Sequence, residues 1–151
     1  MKKFHFTLDT VLSYKQQVLE ELQSEHAALI QRVVHQEQLI AELQRRYRET
    51  NAAFREAEKK GMTIAEALGF EGGLRALERQ MELEKQRLTE FRREAEKKRQ
   101  QVVGARQETA SLEKLREKKL EQYGKAVQKH EEQFIDELVS AGRVSSAGEA
   151  G

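Results

Sequence analysis

The stretch that decides the fold is Lys59-Lys60-Gly61-Met62-Thr63-Ile64-Ala65-Glu66. It reads as the end of one helix and the start of another. Cations in a last turn suit the negative end of the helix dipole, and a glycine just beyond closes a helix in the left-handed conformation. Thr63 followed three residues later by Glu66 has the spacing of a capping box, with Met62 at the staple position. One helix is therefore expected to stop near residue 60 and the next to restart near residue 64. So short a connection favours two antiparallel helices.

Toward the N-terminus, stepping alternately by four and three from Leu8 gives Leu8, Leu12, Lys15, Leu19, Leu22, His26, Leu29, Val33, Gln36, Ile40, Leu43, Tyr47, Thr50 and Phe54. Ten of these fourteen are apolar, where 38% hydrophobic content would place about five. A period of 3.5 residues held this long predicts a left-handed coiled-coil seam. Val11, Val18, Ile30, Val34 and Leu39 widen the stripe, either for extra burial or as a second partner surface. Thr7 is the expected N-cap, with Asp9 in the first turn. Lys2, Phe4 and Phe6 alternate before it, as an extended arm or an earlier helix start.

Toward the C-terminus the seam resumes as Phe70, Leu74, Leu77, Met81, Glu84, Leu88, Phe91, Ala95, Lys98, Val102, Ala105, Thr109 and Leu112, ten of thirteen apolar. Gly69, Gly72 and Gly73 predict a weak or bent start, since each costs about 1 kcal/mol relative to Ala in a helix. Folding about residue 62 pairs positions whose numbers total about 124, such as Phe54 with Phe70 and Val33 with Phe91. The two seams stay in phase, predicting a hairpin roughly 75–80 Å long at about 1.5 Å per residue. Helix one runs out opposite about residue 116, yet Leu120, Val127 and Phe134 recur every seven residues, with Tyr123 and Leu138 beside them. This overhang has no expected partner inside the chain, so something else should cover it.

The expected class is therefore all-α: a long antiparallel two-helix coiled coil with a C-terminal helical overhang. Residues 1–140 form one hairpin: helix one about 7–60, hinge about 61–63, helix two about 64–140. Residues 141–151, rich in Gly, Ser and Ala, are expected as a disordered tail.

Composition agrees. The 151 residues include no Pro, Cys or Trp, 35% are charged, and mean hydropathy is −0.81. Without proline nothing breaks a long helix. Without cysteine there is no disulfide framework and no thiolate metal site. No stretch approaches the ~18 apolar residues of a membrane span, and residues 1–15 lack the apolar core of a signal peptide. Direct membrane insertion is not expected. Net charge is +1, but residues 92–119 hold ten Lys/Arg against five Glu, and residues 120–151 hold three against six acids.

No catalytic constellation, metal site or cofactor motif emerges. Gly69-Phe70-Glu71-Gly72-Gly73 lacks the Lys-Ser/Thr and preceding strand of a phosphate loop. His5, His26, His35 and His130 have no mutual helix-ligand spacing, and His26 reads as a polar seam residue. Glu20-Glu21 and Glu131-Glu132 read as solvated faces. A two-helix hairpin also offers no water-excluded cavity, so an enzyme is not expected. The basic run 92–99 interleaves glutamates with only Phe91 nearby for stacking, so nucleic acid is not the expected partner.

Several residue groups carry a family resemblance. At the start stands Lys3-Phe4-x-Phe6-x-Leu8-Asp9-x-Val11-Leu12-x-Tyr14-Lys15. In the middle stands Gly61-x-Thr63-x-x-Glu66-x-Leu68, then an aromatic and Leu74-x-x-Leu77. Near the end stand Ser111-Leu112-Glu113-Lys114-Leu115-Arg116-Glu117-Lys118-Lys119, Tyr123 and Glu132-Gln133-x-x-Asp136-Glu137. From about residue 3 to 138 the chain resembles the flagellar export protein FliJ family. It departs at Gly69, Gly72 and Gly73, where the family more often has good helix formers.

The resemblance implies a non-catalytic component of the type III flagellar export apparatus, acting in motility and chemotaxis. The family fold is similar to the rotary ATPase gamma subunit. Implied partners are the hexameric flagellar export ATPase, the export gate membrane protein and export chaperones. The implied place is the cytoplasm, peripheral at the membrane beneath the flagellum. Carried over to this sequence, the ATPase contact falls on Phe4, Phe6, Leu8, Val11, Leu115, Lys118, Tyr123, Asp136 and Glu137. The gate contact falls on Phe70, Leu74, Leu77 and Met81. Core packing is the competing role for the seam members among them. The main alternative for the whole chain is a homodimeric structural coiled coil whose seams pair between chains; a nucleic-acid-associated coiled coil is the third.

Overall fold

A computed structural model describes residues 2–149, and side-chain environments through residue 144. The protein is all-helical: α1 spans Asp9–Lys60 (52 residues) and α2 spans Ile64–Glu149 (86 residues), packed on each other as a hairpin. The seams of α1 and α2 meet within the chain. They are not left for a second copy, as the homodimeric alternative required.

The turn is built as its residues dictate. Gly61 takes φ +88°, open to glycine at little cost, and its N–H donates to the Glu58 carbonyl at 3.2 Å. The capping box is reciprocal. Glu66 N–H donates to Thr63 Oγ1 at 3.2 Å, and Thr63 N–H donates to Glu66 Oε2 at 3.4 Å.

The chain forms two compact units. One is Glu20–Gly104, which contains the turn. Its core is Val33, Ile40, Leu88 and Ala95, with Leu29 and Phe91 packed against them; Leu43 is the most buried side chain, at 2% exposure. Phe54 and Phe70 meet with ring centroids 5.2 Å apart. Arg32 lies over the Phe91 ring at 5.2 Å. Lys98 pairs with Glu25 at 2.6 Å, and Arg92 with Glu37 at 3.3 Å. Such exposed pairs are worth at most about 1 kcal/mol each. They contribute mainly by fixing the register that the residue numbering predicts.

Gly69, Gly72 and Gly73 do not interrupt α2, which is continuous through them. The expected weak start is absent because the capping box anchors the first turn and the seam residues Phe70, Leu74 and Leu77 are half-buried. A Cβ on any of the three glycines would meet nothing within 4 Å, so close packing does not require them.

The second unit comprises Met1–Leu19 with Ala105–Gly151. Here α1 begins at Asp9, two residues later than expected. Leu12 N–H donates to the Leu8 carbonyl at 2.8 Å, so Leu8 holds the cap position and Thr7 lies in the turn before it. Residues 2–6 form a non-helical arm with Phe6 buried at 5% exposure, and burying that ring turns the chain off the helix axis. At the other end α2 runs on to Glu149, through much of the stretch expected as a tail. No proline interrupts it there. Residues 150 and 151 lie outside the described residues. No helix among the described residues is long and apolar enough to cross a membrane.

Candidate functional site

The most developed surface is built by the N-terminal arm and α2. Tyr123 sits on α2 where the sequence predicts an uncovered stripe, and the arm covers part of it. Its hydroxyl donates to the Lys2 carbonyl at 2.5 Å, and its ring meets Phe4 with centroids 5.5 Å apart. Tyr123 thus has a partner inside the chain, contrary to the expectation for the stripe. Arg116 secures the same arm from about two turns earlier on α2. Its guanidinium lies over the Phe4 ring at 5.6 Å and pairs with Asp9 at 3.5 Å. The Phe6 carbonyl accepts from Asp9 N–H at 3.1 Å, which closes the turn into α1.

Arm and helix line an open concavity of about 690 Å³. Its apolar wall is Phe4, Phe6, Leu8, Leu115 and Tyr123, and Lys2, Lys3, His5 and Lys119 bring polar groups to its lining. No carboxylate lines it, so the local field is positive although the chain is nearly neutral. Deeper along the unit, Lys15 bonds Glu108 at 2.7 Å, and that carboxylate holds the ammonium pKa above its ordinary 10.5. Gln16 donates to Glu113 at 3.2 Å.

Five of the residues assigned to an ATPase contact thus share one concavity: Phe4, Phe6, Leu8, Leu115 and Tyr123. Phe6 is core, so its side chain holds the arm and is not offered to a partner. Val11 and Lys118 are exposed and stand outside this lining. Asp136 and Glu137 are exposed farther along α2. Every side chain from residue 128 to 144 is exposed, Phe134 at 56%. The sequence reading missed Arg116, Lys119 and Lys2. Phe4 and Tyr123 stand almost in register with the turn, but a non-helical arm breaks the arithmetic that paired the helices.

The residues assigned to a gate contact lie in the Glu20–Gly104 unit. Phe70, Leu74, Leu77 and Met81 are all half-buried along the seam, Phe70 against Phe54. Next to them Tyr47 donates to Glu78 at 3.1 Å, and Arg75 bonds the same carboxylate at 3.0 Å. Arg75, then Tyr47, hold the Glu78 carboxyl below its ordinary value. Leu68 and Ile64 nearby are exposed.

No curated protein and no solved structure matches the chain. The family described as Flagellar FliJ protein matches residues 4–146, from the arm to the overhang. With nearly its whole length matched, the chain belongs to the flagellar FliJ protein family.

Proposed function

We propose that this chain is a non-catalytic central stalk and adaptor of the flagellar export apparatus. In this reading it activates the hexameric export ATPase and links it to the export gate and to export chaperones. It works in the cytoplasm, peripheral at the membrane beneath the flagellum. The observation that carries the reading is the apolar face on α2 past Tyr123, where Phe134, Ile135, Leu138 and Val139 remain exposed in a family member. An amphipathic helix left uncovered in water is unfavourable, so a docking partner is implied. A ring of subunits around one helical stem meets a different face at each subunit, and differential contacts are what shift subunit conformations.

In this reading Leu8, Val11, Leu115, Lys118, Asp136 and Glu137 touch the ATPase. Phe4, Phe6 and Tyr123 hold the arm that shapes the contact. Phe70, Leu74, Leu77 and Met81 serve the gate with their exposed edges. The test is ATP hydrolysis by the cognate export ATPase with and without the chain, repeated with Tyr123→Ala and Phe134→Ala. Stimulation by less than one copy per ATPase subunit, reduced severalfold by Phe134→Ala, is the expected result. No stimulation by the folded wild-type chain would end the reading.

A further inference from the structure

The uncovered face of α2 carries its own complement. Leu120, Val127 and Phe134 are spaced by seven and continue one face of the helix past Arg116, where α1 begins at Asp9. Leu120 and Phe134 are exposed, at 43% and 56%. Lys119 and Glu137 are eighteen residues apart, which at about 3.6 residues per turn is five turns, so they share one flank of that face. Both are exposed, and neither is engaged in an ion pair among the described residues. Lys119 borders the concavity that Lys2 and Lys3 make positive. Glu137 closes the acidic stretch that starts at Glu131 and surrounds Phe134. Both stretches lie on one continuous helix, so neither can fold onto the other within a molecule.

We propose that the overhang of α2 is a self-docking surface, on which two copies of the chain pair antiparallel about Val127. Antiparallel pairing places Leu120 of each copy opposite Phe134 of the other and Val127 opposite its own counterpart. Residues on one flank meet across such a pair, so Lys119 of each copy faces Glu137 of the other, twice over. The acidic stretch of each copy then lies against the basic concavity of the other. A parallel pair would keep Lys119 and Glu137 about 27 Å apart along the axis, at about 1.5 Å per residue, and would bring opposite flanks together, so neither charge would meet the other. The paired segment, about residues 117–137, is roughly 31 Å long at 1.5 Å per residue, short enough for association to be reversible. Pairing buries Phe134, so a paired chain is withheld from the ATPase ring; that consequence alone rests on the stalk reading.

The chain has no cysteine, so a single introduced thiol reports only its own contact. The test combines sedimentation equilibrium of the full chain across the micromolar range with oxidative cross-linking. Expected are a mass rising from one to two chains with concentration, and self-cross-linking of Val127→Cys. A mixture of Leu120→Cys and Phe134→Cys should cross-link where neither does alone. Lys119→Glu and Glu137→Lys should each weaken pairing about tenfold, and the double variant should restore it, with helicity unchanged by circular dichroism. A monomer throughout the range would overturn the proposal and leave the face to a different protein. Self-cross-linking of Phe134→Cys alone, or no restoration by the double variant, would overturn the antiparallel register. No ATPase enters this test, so its failure is separate from failure of the stalk reading.

Discussion

Gln36 on α1 reaches Glu84 on α2 inside the hairpin core, its side-chain amide donating to both the Glu84 carboxylate and the Glu84 backbone carbonyl, the latter at 3.0 Å. Both residues are 5% exposed, and Arg87 completes the carboxylate with a 2.9 Å bond to its second oxygen. A polar pair in an apolar seam is held by mutual satisfaction, and removing one member strands the other. Gln36→Leu should therefore destabilise the chain by about 1–3 kcal/mol in urea unfolding followed by circular dichroism. Combining it with Glu84→Leu should recover most of that loss. If the double variant were as unstable as the single one, the pair would not be the source of the cost.

Glycines separate backbone need from mere tolerance. Gly61 holds φ +88°, so Gly61→Ala should lower stability by about 1 kcal/mol. Gly69, Gly72 and Gly73 sit inside α2 with open space where a Cβ would go. Each substitution to Ala there should raise stability by about 0.5–1 kcal/mol, because alanine loses less backbone entropy in a helix. Thermal unfolding of the four single variants checks both signs together. A loss at Gly72 or Gly73 would show that something other than helix propensity selects glycine there.

Most of the hairpin is legible in the sequence because helix periodicity records it. Every residue of the α2 seam from Phe70 to Leu112 is buried or half-buried, and so is every α1 seam residue except Leu8. Thr63 and Glu66 announce the turn for the same reason: capping needs those atoms at that spacing. The arm leaves no such trace. Residues 2–6 follow no helical period, so nothing predicts that Phe6 is core while Leu8, its neighbour on the seam, stays 37% exposed. The polar layer was visible only as two exceptions, Gln36 and Glu84. Side-chain reach across the interface, which periodicity does not encode, makes them partners.

The arm gives a local prediction. Tyr123→Ala removes the bond to the Lys2 carbonyl and the contact with Phe4. Hydrogen exchange should then speed up across residues 3–9 while the core around Leu43 keeps its protection. Phe6→Ala should instead cost about 3 kcal/mol, because it empties a buried site. If Tyr123→Ala left exchange in the arm unchanged, Arg116 would be sufficient to hold it.

Acid and salt act on the exposed ion pairs with a definite sign. Arg45 holds the Glu42 carboxyl below 4.5, Arg75 and Tyr47 do so for Glu78, and Arg99 does so for Glu96. A carboxyl with a depressed folded pKa stabilises the fold fully above its unfolded value and loses that contribution as pH falls through the folded one. Stability should therefore hold from neutral pH to about 4.5 and decline below it. Lys15 runs the other way. Its bond to Glu108 raises its pKa above 10.5, so its contribution is complete below 10.5 and disappears as pH climbs past the folded value. Because these groups face solvent, added salt should flatten both limbs by screening, leaving the seam's own stability. Unfolding midpoints measured from pH 3 to 11, at low and high salt, should trace a plateau with two falling ends that differ least at high salt. A fall beginning near pH 6 would show that these carboxyls do not set the acid limb.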